Sequence, residues 1–114
     1  MSQDMKELRV GPSESTKRIM YLAKEFLLNQ DMIDVVAGTA SAPSVARSCE
    51  ALARLNYISY VDIRTETQIV NERRRTRLVI RIKKTSQFNK LYQENEAIRK
   101  KKEAERDEQK HTSA

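Results

Sequence analysis

The chain has 114 residues, 39% hydrophobic and 33% charged, with a formal net charge of +6, which bounds it to one small domain whose core covers only part of its length. No run of about 18 apolar residues occurs, so neither a transmembrane helix nor a membrane partner is expected. One cysteine, Cys49, and one histidine, His111, exclude an internal disulfide, a zinc-ligand spacing and a Cys–His catalytic pair.

The opening MSQDMKELRV has no apolar signal segment, and the expected location is cytoplasmic, with the nucleus also open to it. Residues 6–10, KELRV, alternate polar and apolar and predict a short first strand. GPSES follows, with Ser13 or Ser15 as the candidate helix cap. Ile19, Leu22, Ala23, Phe26 and Leu27 then fall at i, i+3, i+4, i+7 and i+8, the apolar stripe of a helix running to about Gln30. MIDVVAG, residues 32–38, is short, β-branched and closed by Gly38, which predicts a second strand.

A second helix is predicted from Ala42-Pro43, since proline is tolerated in a first turn, with Val45, Cys49, Leu52 and Leu55 as its apolar face. Tyr57–Gln68 reads as a third strand. Arg77–Lys83 reads as a fourth, Leu78, Ile80 and Ile82 alternating against Val79, Arg81 and Lys83. Phe88, Leu91 and Tyr92 are the only large apolar residues at the start of a C-terminal helix, which passes into IRKKKEAERDEQK, expected to be an exposed fraying helix or disorder. The predicted fold is α/β: a two-layer β-α-β-α-β-β arrangement, two helices over a four-stranded mixed sheet, with a long basic hairpin and a charged C-terminal helix. Residues 1–5 are expected to form a flexible N-terminus, 6–85 the domain and 86–114 the charged helix or tail.

The segment Ile63–Lys84 carries Arg64, Arg73, Arg74, Arg75, Arg77, Arg81, Lys83 and Lys84 against Glu66 and Glu72, so the whole excess of +6 sits there. A field concentrated in this way attracts polyanions. Ile69–Thr76 contains neither Gly nor Pro, so no favoured two-residue turn is expected, and the stretch reads as a mobile, protruding arm. Guanidinium forks match phosphate oxygens, which makes Arg73, Arg74, Arg75 and Arg77 the leading candidate site; a solvated charge run is the alternative. Arg81 and Lys83 lie off the apolar face of their strand and either extend that track or simply face solvent. Tyr57 and Tyr60 fit core or dimer packing better than base stacking, and Cys49 fits a small buried hydrophobe. No Gly-rich phosphate loop, nucleophile–base spacing or carboxylate pair points to an enzyme.

LRV before a Ser-containing loop, YLAKEFLLNQ, VVAG, a small-residue second helix, and IRTET leading through a basic hairpin to RLVIRIKK together resemble the Alba family of small nucleic-acid-binding proteins, from Leu8 to about Lys84. The tail resembles that of the family's small eukaryotic branch, which is associated mostly with RNA and is related to the Alba-like subunits of ribonuclease P and MRP. The resemblance implies a non-enzymatic dimer without cofactor or metal, its two hairpin arms reaching along nucleic acid while the body contacts the backbone. Contacts are implied at Lys17 and Arg18 in the first helical turn and at Gly38 and Thr39 in the strand-to-helix turn. They are also implied at Arg64, Arg73, Arg74, Arg75, Arg77, Arg81 and Lys83. Ser13-Glu14-Ser15-Thr16 replaces the Lys-Lys of many members, so acetylation control of the archaeal kind is not implied. RNA is the implied ligand, with DNA open to the same electrostatics, and mRNA stability or translation control the implied role. The alternatives are a ribonuclease P/MRP-type subunit paired with a related Alba-like chain, or a DNA-binding chromatin-type protein.

Overall fold

A computed structural model describes residues 5–112, with side chains through residue 106; the expected N-terminal segment, Met5 apart, lies outside the described residues. Seven elements follow in order: β1 (Glu7–Val10), α1 (Thr16–Leu27), β2 (Met32–Gly38), α2 (Ala42–Arg54), β3 (Ile58–Val70), β4 (Arg73–Lys84) and α3 (Phe88–Thr112). The strands form one mixed sheet in the order β1-β2-β4-β3, with β1 parallel to β2 and the other pairs antiparallel. The expected α/β architecture is therefore the observed one.

Alternation decides which face is covered. Ile33, Val35 and Ala37 of β2, with Ile80 and Ile82 of β4, join Leu8 and Val10 under the two helices. Ile19, Ala23 and Leu27 of α1 and Val45, Cys49 and Leu52 of α2 close that core. Burial pushes the Cys49 thiol up to about 12, so it is a packed hydrophobe rather than a nucleophile. Ser15 is the cap of α1, its Oγ accepting from the Arg18 N–H at 3.1 Å, and the helix ends at Leu27, short of Gln30. Ser41 precedes α2 and donates its hydroxyl to Val10 O at 3.0 Å, tying the end of β1 to the start of α2. Leu55 sits at the C-cap and is exposed, because α2 has ended before it can reach the core.

Two strands differ from expectation. β3 continues to Val70 and β4 begins at Arg73, so the predicted loop is instead a two-residue turn. Asn71 and Glu72 carry it at φ 51° and 65°, both in the left-handed region that a type I′ turn needs. Asn tolerates that region through local side-chain hydrogen bonding; at Glu72 the strain is accepted because the paired strands on either side fix the geometry. Val79, grouped by its parity with solvent-facing residues, is buried on the sheet face away from the helices, between Val36 and Arg64 in the register.

α3 is helical through Thr112. Phe88 is fully buried, edge-on to Tyr57 at 5.9 Å and stacked on Tyr92 at 6.0 Å. The Tyr92 hydroxyl donates to Glu25 at 2.9 Å, so the first turns of α3 are pinned along α1. Truncation of Phe88 to Ala is expected to cost about 3–5 kcal/mol in urea denaturation. Glu72→Gly removes the left-handed strain, and amide exchange over residues 67–76 is expected to slow about fivefold, as about 1 kcal/mol of relief requires.

Candidate nucleic-acid interface

β2 accompanies β4 only as far as Gly38, opposite Arg77. Beyond that point β3 and β4 continue as a two-stranded ribbon through the pairs Thr67–Thr76, Gln68–Arg75, Ile69–Arg74 and Val70–Arg73. Every residue from Thr67 to Thr76 is exposed, and at about 3.3 Å per residue the ribbon reaches roughly 13 Å past the sheet before its turn. The arginines thus lie on a strand, and strand periodicity separates them: Arg73, Arg75 and Arg77 share a face with Val70, Gln68 and Glu66, whereas Arg74 shares the other with Ile69.

Their chemical states divide in the same region. Arg77 donates through Nε to Glu66 at 2.7 Å. Arg64 reaches Glu66 and Asp62, each at 3.2 Å, and comes within 3.7 Å of Asp34. Arg81 grips Asp34 with two nitrogens, at 2.8 and 3.2 Å. Asp34 is only 3% exposed, and a buried carboxylate without such a partner would be strongly destabilising. Arg81, read from the sequence as either extending the basic track or facing solvent, is instead paired with Asp34 on the sheet face. Arg64 and Arg77 are likewise engaged by their own chain. Arg73, Arg74 and Arg75 have no acidic partner among the described residues, nor does Lys83, which is exposed.

A groove of 370 Å³ runs where β2 stops, walled by Gly38, Thr39, Gln68, Arg74, Arg75, Thr76 and Arg77. It joins the strand-to-helix turn to the hairpin. Gly38 is not at positive φ, and a Cβ there would meet nothing within 4 Å, so neither backbone conformation nor internal packing requires glycine; what it leaves is an open approach to its own amide backbone. Lys17 and Arg18 are exposed at the start of α1, where Arg18 lies 3.9 Å from Glu14. Gln68, Thr76 and Asp34 were not picked out from the sequence. Extending the fourth strand through Arg73 would have set Gln68 opposite Arg75, and a lone aspartate inside MIDVVAG already demanded a cation.

No family model and no curated protein matches the sequence. Among solved structures, the fold is that of Alba proteins. ALBA1 from Trypanosoma brucei is similar with a TM-score of 0.82 at 20% identity, covering 99% of this chain and all of that one. Alba from Thermoplasma volcanium matches with a TM-score of 0.55 at 17% identity, its whole length spanning 69% of this chain. The first likeness thus takes in the C-terminal helix, and the second leaves about a third of this chain without a counterpart.

The Glu66 carboxyl is held below its usual 4.5 by the hydrogen bonds from Arg77 and then from Arg64. A lowered folded-state value means that the pairing stabilises the protein above the ordinary value and is lost as pH falls through the lowered one. The Arg77 Nε–H chemical shift is accordingly expected to stay constant from neutrality down to 4.5 and to move only on acidification below it, as Glu66 takes up its proton. Glu66→Gln liberates Arg77, and the slope of log K against log salt for a polyanion is expected to steepen by about one.

Proposed function

We propose that this protein binds nucleic acid, RNA above all, without catalysis and with little sequence preference, gripping phosphates with Arg73, Arg74 and Arg75. The observation that carries this reading is the contrast in arginine partners. The arginines flanking the sheet are neutralised by carboxylates, whereas three consecutive arginines on the exposed ribbon have none among the described residues. Hydrated, unpaired guanidiniums are the groups that exchange counterions for phosphate most readily. Gly38 and Thr39 at the groove, Lys17 and Arg18 at the start of α1, and Lys83 extend the contact surface. RNA ranks above DNA because the charged C-terminal helix resembles that of the small eukaryotic branch, and control of mRNA stability or translation is the role that fits.

A dimer belongs to the same proposal. β3 is an edge strand, and an irregularity between Tyr60 and Asp62 turns Ile63 to the helix side of the sheet, opposite Ile80. Tyr60 and Ile63 are 43% and 59% exposed there, with Val61 and Leu55 also uncovered. An apolar edge of this kind is a liability unless a partner covers it, and a second copy or a related chain docked on it would present two arms to one strand of nucleic acid.

Replacing Arg73, Arg74 and Arg75 together by Ala is expected to weaken RNA binding at least about tenfold near 100 mM salt and to flatten the salt slope by about 2 to 3 units per arm. Fluorescence anisotropy over a salt series reads both; unchanged affinity in a folded variant refutes the proposal. Ile63→Asp is expected to give a folded monomer by light scattering, with reduced RNA affinity from the loss of the second arm.

A further inference from the structure

We propose that the groove between α1 and α3 is a second nucleic-acid site, one that takes an unstacked nucleotide of single-stranded RNA. The inference rests on the reading above that nucleic acid is the ligand, and it adds a part of the molecule that the hairpin does not reach. The groove has a volume of 510 Å³ and is walled by Lys17, Tyr21 and Lys24 of α1 and Tyr92, Glu96 and Arg99 of α3, within the roughly 300–1,000 Å³ typical of small-ligand sites.

The topology carries this groove toward the hairpin. Tyr92 meets Glu25 near the end of α1, and Arg99 shares the groove with Lys17 at its start, so α3 runs back along α1. β1 reaches the same end of the sheet, since Val10 pairs with Ala37, one residue before Gly38 and the groove beside Arg75 and Arg77. A strand of nucleic acid held by the arm is thereby led past Lys17 into the space between the helices.

The chemistry selects a nucleotide. Lys17, Lys24 and Arg99 of the lining stand against Glu96 and against Glu25, which accepts from the Tyr92 hydroxyl, so cations outnumber carboxylates three to two and the groove favours an anion. Arg99 lies 3.3 Å from Glu96 on the exposed surface of one helix, a pairing weak enough to yield to phosphate. Lys24 is seated 4.3 Å above the Tyr57 ring, which makes it a floor of the groove rather than a free arm. Tyr21 is 42% exposed, with no aromatic partner among the described residues, and offers a ring face to a base. The Asn95 amide at the same wall supplies both a donor and an acceptor for a base edge. Arg99, Lys102 and Arg106 follow at i, i+3 and i+7 along α3, so the basic stripe continues beyond the groove with Glu103 at its flank. A duplex keeps its bases stacked and presents only its backbone, whereas a single strand can turn a base into the slot.

The test compares a fluorescein-labelled single-stranded oligouridine with an RNA duplex of the same number of phosphates, at one salt concentration. Tyr21→Ala is expected to weaken single-strand binding about tenfold while leaving duplex binding within about twofold, and Tyr21→Phe to restore the single-strand affinity, because stacking needs the ring and not the hydroxyl. Circular dichroism confirms that each variant is folded. A 4-thiouridine probe is expected to crosslink within the peptide containing Tyr21. Equal loss on both ligands, no loss on either, or failure of Tyr21→Phe to restore binding overturns the groove as a nucleotide site. The separate result that Arg73, Arg74 and Arg75 can be replaced without loss on either ligand would instead overturn the phosphate reading on which it rests.

Discussion

β3 and β4 stay hydrogen-bonded from Ile58–Lys84 to Val70–Arg73, but β2 leaves β4 at Arg77. That mismatch in strand length is the constraint from which the functional surface follows. A ribbon without a third strand and without a covering helix has two wet faces, so it can carry charge on both at no desolvation cost, which no strand inside the sheet could do. It is held by the backbone ladder and by a turn whose two residues both accept positive φ, rather than by a core of its own. Rigid at its root and dependent at its tip only on cross-strand pairing, it is the part of the molecule most free to adapt to a ligand.

The same boundary sorts the charge. Where β2 still flanks β4, arginines meet carboxylates: Asp34 takes Arg81 and draws in Arg64, and Glu66 takes Arg77. Those pairs close the uncovered sheet face over Val36 and Val79 with aliphatic stems and neutralised heads. Past Arg77 the ribbon arginines have no acidic partner among the described residues, and positive charge remains for an outside ligand. Net charge alone would not have distinguished the two populations; partner geometry does.

Much of this architecture was legible in the sequence because it is written in periodicity. The stripe Ile19, Ala23, Leu27, the β-branched MIDVVAG and the alternation of Leu78, Ile80 and Ile82 each have one physical solution, and together they fix element order and core. The turn at Asn71-Glu72 was not legible, because a rule keyed to glycine ignores what a long ladder can impose on residues that merely tolerate left-handed backbone. The pairing of Arg81 with Asp34 spans 47 positions and has no local signature beyond an unaccompanied charge in an apolar strand. The groove beside α3 was hidden for a related reason: it depends on the direction in which that helix folds back, which Phe88 and Tyr92 decide through contacts with residues far away in the chain.

The division between engaged and available arginines can be watched directly by following arginine Nε–Hε resonances during titration with single-stranded RNA. The account predicts large shifts and exchange protection at Arg73, Arg74 and Arg75, while the Arg81 signal stays where its bond to Asp34 holds it. Shifts concentrated at Arg81, with the ribbon arginines silent, would contradict it.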